Sequence, residues 1–235
     1  MTSFDRLQAT ITADSGVAIL VVGRPDLVTL GPWRSGPAWS TSKIPLALAA
    51  LQHADSPATR ALVGRAITAS DNAAAEALWA ELGAGPPAGA AVDAVLKAHG
   101  DPHTRTQWRR VRAGFTPFGQ TPWALLDQVA FTAGLACDSG AGRVLDEMGG
   151  VVSEQRWGLG RLASARIKGG WGPDERGGYL ARQLALVPRG RDLVAVAVAA
   201  RAPGGFGPAV AALDEITAWL RKQLPTLPSA AHTCR

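Results

Sequence analysis

A chain of 235 residues with 47% hydrophobic and 18% charged side chains is long enough for one large or two intimately packed domains, and too apolar to be disordered along its length. Its longest apolar run in the second half, Leu193 to Ala200, falls far short of the roughly 20 residues needed to cross a bilayer as a helix, so no membrane span is expected. The net charge of +5 suits an anionic partner or a carboxylate substrate, but the one basic cluster, Arg105 with Arg109, Arg110 and Arg112, has no nucleic-acid module around it, so nucleic acid is not the expected partner.

Taken in order, Phe4 to Thr12 places Phe4, Leu7 and Ile11 on one side of a short amphipathic helix. Val17 to Val22 and Leu27 to Leu30 flank Gly23-Arg24-Pro25-Asp26 in the pattern of a hairpin. A loop through Gly36-Pro37 leads to a helix over Ser40 to Gln52, with Pro45 near enough its start to be tolerated. Ala58 to Leu82 is helical in composition, interrupted at Thr68-Ala69-Ser70-Asp71-Asn72 and stopped by Gly83-Ala84-Gly85-Pro86-Pro87. A helix is expected over Gly89 to Ala98, then a long surface loop over Gly100 to Gln120, then a helix opened by Thr121-Pro122 and running to Leu135. The block from 40 to 150 therefore reads as helix and loop alone.

After Gly160 the pattern changes. Leu162 to Ile167, Tyr179 to Val187 and Leu193 to Ala200 read as strands separated by Gly/Pro/Asp/Arg turns. Pro208 to Leu224 carries Val210, Leu213, Ile216 and Leu220 on one helical face. This order predicts an α+β fold: one antiparallel sheet of about five strands built from both ends of the chain, flanked by terminal helices, with an all-helical domain inserted. The expected division is 1–36 with 160–235 for the sheet domain and 37–159 for the helical domain, with a groove where they meet.

The residues that carry chemistry follow this frame. In Ser40-Thr41-Ser42-Lys43 a serine stands one helical turn before a lysine. A desolvated lysine is pushed towards the neutral amine that can take a serine's proton, which arginine cannot do. The chain holds 20 arginines and only four lysines, Lys43, Lys97, Lys168 and Lys222, so a retained lysine points to a removable proton. Ser70-Asp71-Asn72 falls at the helix interruption, and Lys168-Gly169-Gly170 ends the first strand after Gly160. Taken singly these would be a helix cap and a surface lysine. The histidines lack metal-ligand spacing, and no metal or other cofactor is implied. Cys137 and Cys234 either form one disulfide that pins the C-terminal tail or remain thiols.

Together, in this order, the three motifs resemble the serine β-lactamase (class A-like) and penicillin-binding protein superfamily. The resemblance extends through Ser40-Thr41-Ser42-Lys43-Ile44-Pro45-Leu46, Ala66 to Ala74, and His99-Gly100-Asp101 with Thr104-Arg105, and covers about residues 4 to 224. It implies that Ser40 forms an acyl-enzyme with Lys43 as its base, and that Ser70 relays a proton to the leaving nitrogen aided by the charge of Lys168. It also implies that Asn72, Gly169 and Gly170 bind substrate, and that the backbone N–H groups of Ser40 and Trp171 form the oxyanion hole. Lys168 would attract a substrate carboxylate, and the strand edge at Gly170-Trp171 would pair with an extended substrate.

Two departures modify this expectation. The place of the Ω-loop glutamate, which activates the deacylating water in class A enzymes, reads Gln107-Trp108-Arg109-Arg110, and Gly169 stands where the family carries a hydroxyl residue. The resemblance therefore implies a penicillin-binding serine hydrolase or acyltransferase of small-molecule or peptide substrates, β-lactams or D-alanyl peptides. The alternatives are a β-lactamase with another deacylation route and a non-catalytic binding module. Family members work outside the cytoplasm, whereas Met1 to Arg6 does not read as a signal peptide, so either a mature secreted form or a cytoplasmic protein is expected.

Overall fold

The computed structural model describes residues 3–175 and 177–230. Eight α-helices and a five-stranded antiparallel sheet make up the α+β fold of these residues, as the element order predicts. The sheet contains β1 (Asp14–Val21), β2 (Val28–Leu30), β5 (Arg166–Pro173), β6 (Tyr179–Arg189) and β7 (Asp192–Ala202), in the order β2-β1-β7-β6-β5. Strands from the two ends of the chain thus meet at the β1–β7 pair, and β5 forms an edge.

The two faces of β7 differ in bulk. Val194, Val196, Val198 and Ala200 pack with α8 (Phe206–Gln223) through Leu213, Ile216 and Leu220, and with Phe4 of α1 (Ser3–Gln8). Ala195, Ala197 and Ala199 face the other way, towards α6 (Leu125–Leu135) and its Phe131. Side chains alternate across a strand, and the alanine row leaves space for a helix to approach closely. The second core continues from α6 into α2 (Lys43–His53), α3 (Pro57–Thr68), α4 (Asn72–Glu81), α5 (Gly85–Ala98) and α7 (Gly142–Gly149).

Several elements differ from the sequence expectation. The first helix ends at Gln8, whose side chain takes bonds from Ser15 Oγ and gives one to Ala13 O instead of facing solvent on a longer helix. The helix after Gly83 opens at Gly85, with prolines in its first turn where their missing N–H is harmless. Thr121-Pro122 does not open a helix. Pro122–Ala124 forms β4, paired with β3 (Ser35–Pro37), and the Thr121 hydroxyl accepts from the Gln107 N–H rather than from a helix N-terminus. The middle of the chain therefore contains a strand.

The strand expected over Leu162 to Ile167 begins only at Arg166, because Ser164 has a left-handed φ of 55° and the Ala165 N–H turns back to Leu162 O. It then runs through the glycines to Pro173, so Lys168-Gly169-Gly170 lies inside the strand, not at its end. No helix among the described residues is long and apolar enough to cross a membrane. The Cys137–Cys234 expectation falls on Cys234, which lies outside the described residues.

Candidate active site

Ser40 sits in a 3-10 turn, Trp39–Ser42, that leads directly into α2. The turn starts from a strained residue: Trp39 has φ 49°, a region that bulky side chains rarely enter. Its geometry is fixed by local bonds, Thr41 Oγ1 to Ala38 O (2.5 Å) and Ser42 Oγ to Trp39 O (2.6 Å). Ser40 itself is half-buried and opens into a pocket of about 160 Å³ that also contains Ser70, Asn72, Phe115, Thr116 and Trp171.

The lysine three residues on is almost wholly buried. Lys43 Nζ donates to Ser70 O (2.5 Å) and Asn72 Oδ1 (2.7 Å), and lies 3.4 Å from Ser70 Oγ. Burial pushes its pKa down to about 8 against the opposing charge of Asp71. A neutral amine keeps two N–H groups and one lone pair. The two short bonds consume the N–H groups and leave the lone pair for another proton.

Ser70 is placed by the break between α3 and α4. Its φ of 59° turns the chain, Asp71 caps α4 by accepting from the Ala74 N–H (3.0 Å), and Asn72 is the first residue of that helix. The capping and site roles of this motif therefore coexist. From β5, Lys168 Nζ reaches Ser70 Oγ at 2.7 Å and Gly169 O at 3.1 Å. Lys168 is fully buried, and burial, reinforced by the charge of Lys43, drives its pKa well below the usual lysine range. The persistent positive charge that the resemblance assigns to Lys168 is therefore opposed by its surroundings.

Glycine is needed on β5 because the Ser40 turn is seated on it. A Cβ at Gly170 would lie 2.8 Å from Ser40 N and 2.9 Å from Thr41 N. A Cβ at Gly172 would overlap the Trp39 ring, and one at Gly169 would meet the Trp157 ring at 3.1 Å. Ser40, Lys43, Ser70, Asn72, Lys168, Gly169, Gly170 and Trp171 thus converge from three separate segments of the chain.

The fold as a whole matches solved structures over nearly the whole chain. A variant of the last common ancestor of Gram-negative bacteria class A β-lactamase superposes with a TM-score of 0.72 at 22% identity, covering 94% of this chain and 97% of that one. The chain has the class A β-lactamase fold. A β-lactamase from Xanthomonas campestris matches with a TM-score of 0.71 at 18% identity, over 93% of this chain and 95% of that one. The extended-spectrum β-lactamase TLA-3 matches with 0.70 at 13%, over 92% and 97%. No family model matches the chain, and no curated protein matches it.

On this β-lactamase fold the loop that approaches Ser40 carries no acid into the pocket. Arg109 lies outside it, with its guanidinium 4.4 Å from the Trp108 ring centre, and no carboxylate lines the pocket among the described residues. Asp101, His103 and Asp127 cluster elsewhere in that region, but Asp101 is already occupied by the N–H groups of His103, Thr104 and Trp123.

Sequence reasoning missed Trp39, Phe115 and Thr116, which wall the pocket. Phe115 packs edge-on against Trp39 at 5.2 Å. The only signal was Gly114-Phe115-Thr116-Pro117, a turn sequence inside a segment otherwise read as loop.

Proposed function

We propose that this protein is a serine acyl-enzyme that uses Ser40 to attack the carbonyl of a β-lactam or of a D-alanyl-peptide-like amide or ester. The observation that carries this reading is the placement of two buried lysine amines on one serine, Ser70, beside the Ser40 pocket. Isolated structural lysines do not cluster this way, because burying each without a carboxylate partner is costly.

In the proposed cycle Lys43 Nζ takes the proton of Ser40 Oγ as the oxygen bonds to the substrate carbonyl carbon. The oxyanion is held by the backbone N–H groups of Ser40 and Trp171, and Asn72 Nδ2 is free to bind a substrate carbonyl because its Oδ1 is taken by Lys43. When the carbon–nitrogen bond breaks, the leaving nitrogen takes the Ser70 hydroxyl proton. Ser70 recovers one from Lys43, which returns to the neutral amine. Lys168 orients the Ser70 hydroxyl throughout. The groove lies between a sheet domain, 1–36 with 160–235, and a helical domain, 37–159, on this reading.

The pocket free of carboxylates favours slow deacylation over rapid β-lactam turnover. An extracytoplasmic protein acting on cell-wall peptides fits this chemistry. Intact mass spectrometry after mixing with benzylpenicillin, with Ser40→Ala as control, tests the proposal. An adduct on the parent alone that persists for hours supports a penicillin-binding acyl-enzyme. Rapid loss of the adduct with product release means a β-lactamase with another deacylation route. The absence of any adduct from several penicillins and cephalosporins leaves a different acyl substrate or a non-catalytic binding module.

A further inference from the structure

The largest fully buried charged side chain is one that the proposed cycle does not use. Arg182 lies on the α6 side of β6, directly opposite Gly170 in the β5–β6 register, and is fully buried. No carboxylate among the described residues pairs with it. Its guanidinium is instead ringed by neutral acceptors: Nη1 donates to Gly36 O (2.9 Å) and Pro37 O (3.0 Å), and Nη2 to Trp123 O (3.0 Å) and Gln128 Oε1 (2.8 Å). The Trp33 ring centre lies 5.3 Å away, and Nε has no partner. Burial lowers its pKa only to about 9, so the group stays charged at neutral pH.

Burying an arginine without an acid is expensive, and the four acceptors show what it holds. Gly36 and Pro37 are the last residues before Ala38 and the turn. Gln128, fixed by Arg182, donates through Nε2 to Thr41 Oγ1 (3.0 Å), and Thr41 Oγ1 donates to Ala38 O (2.5 Å). The network therefore grips the chain on both sides of Trp39-Ser40. That dipeptide contains the left-handed residue of the turn, and such a conformation persists only where the surroundings over-determine it. Gly170 faces the same side of the sheet as Arg182, and a Cβ there would lie 2.8 Å from Ser40 N and 2.9 Å from Ala38 O and Thr41 N, so the turn can sit this close only to a glycine.

We infer that Arg182 is a positioning residue for Ser40: through Gln128 and Thr41 it holds the strained nucleophile turn against β5, with the Ser40 N–H aimed where an oxyanion forms. The inference rests on the acyl-enzyme reading for its kinetic consequence, and on geometry alone for its structural one. Lysine cannot reproduce the role, because the four acceptors surround a planar fork that an ammonium cannot span.

The test uses Thr41→Val, which removes only the last link, beside Arg182→Met and Gln128→Leu. Two quantities are read on the full chain: the second-order rate of Ser40 acylation by benzylpenicillin, and hydrogen exchange of the amides from Trp39 to Lys43. Thr41→Val is expected to keep its folded spectrum, to acylate about tenfold more slowly and to exchange these amides at least tenfold faster, with protection elsewhere unchanged. Its rate–pH profile should keep the parent's inflection, because Lys43 is untouched. The three substitutions should be non-additive, since each breaks the same chain of bonds.

Unchanged exchange across Trp39 to Lys43 in Thr41→Val overturns the inference, as does a rate loss that only follows the fraction unfolded. If the parent is not acylated at all, the acyl-enzyme reading fails for that substrate, and the exchange measurement still decides whether Arg182 holds the turn.

Discussion

Lys168 Nζ and Ser70 Oγ are 2.7 Å apart, and Lys43 Nζ approaches the same hydroxyl at 3.4 Å. One serine thus links two amines that both lose their charge more readily than exposed lysines. Removing Lys168 should leave Ser70 without its orienting donor. Lys168→Met is expected to lower the acylation rate by about a hundredfold, because Ser70, the proton-transfer partner, is no longer held in place. Stopped-flow acylation beside a thermal melt checks this, and a rate within threefold of the parent would count against a role for Lys168.

The pKa of Lys43 fixes the sign of the pH response. Its pKa is depressed, so the amine is protonated below about 8 and unable to accept the Ser40 proton. Acylation should therefore fall about tenfold per pH unit below that value and level off above it. Stability moves in the same direction. Between about 8 and 10.5 the unfolded chain binds a proton that the folded chain does not, so stability rises with pH across this window, by up to about 3 kcal/mol from this group. Denaturant titrations from pH 7 to 10.5 should show this rise in the parent, and Lys43→Met should lack its share.

Gly170→Ala places a methyl group 2.8 Å from Ser40 N and 2.9 Å from Ala38 O, which are backbone atoms that cannot swing aside. The turn has to lift from β5. We expect acylation to fall about a hundredfold, with a stability loss of about 1–3 kcal/mol. Gly169→Thr tests a different neighbour. Its Cβ would meet the Trp157 ring at 3.1 Å, so a threonine does not fit without repacking. Gly169→Thr should be destabilised, and a second change, Trp157→Leu, should recover part of the loss; purely additive melting temperatures would refute this.

Arg109→Glu should not create a fast β-lactamase. The position is exposed and does not line the pocket that holds Ser40. Adduct lifetime followed by intact mass should change less than threefold from the parent; a lifetime shortened to seconds would show that the loop carries this side chain to the acyl bond.

The motifs made much of this arrangement legible. Ser40, Lys43, Ser70 and Lys168 each carry chemistry in their residue type, and their order along the chain announced the fold. What the sequence hid was the support. Thr121-Pro122 has the composition of a helix start, but the Thr121 hydroxyl is claimed by Gln107 and Pro122 pairs with Pro37. Such long-range bonds leave no local pattern. The glycines of β5 read as a strand end because their side chains are missing, and the reason, a turn pressed onto them, lies elsewhere in the chain. Arg182 looks like any other of the 20 arginines until β6 is placed in register with Gly170.

The open side of β5 has one further consequence. An edge strand is a template on which a second chain can lengthen the sheet, and Gly169, Gly170 and Gly172 offer no side chain to obstruct it. What guards this edge is the Ser40 turn seated on Gly170 and the Trp39 ring over Gly172. Lifting that turn disarms the serine and bares a sticky ribbon in one movement. Variants that loosen it should lose activity and begin to self-associate together, so damage to the site would surface as aggregation before it registered as unfolding.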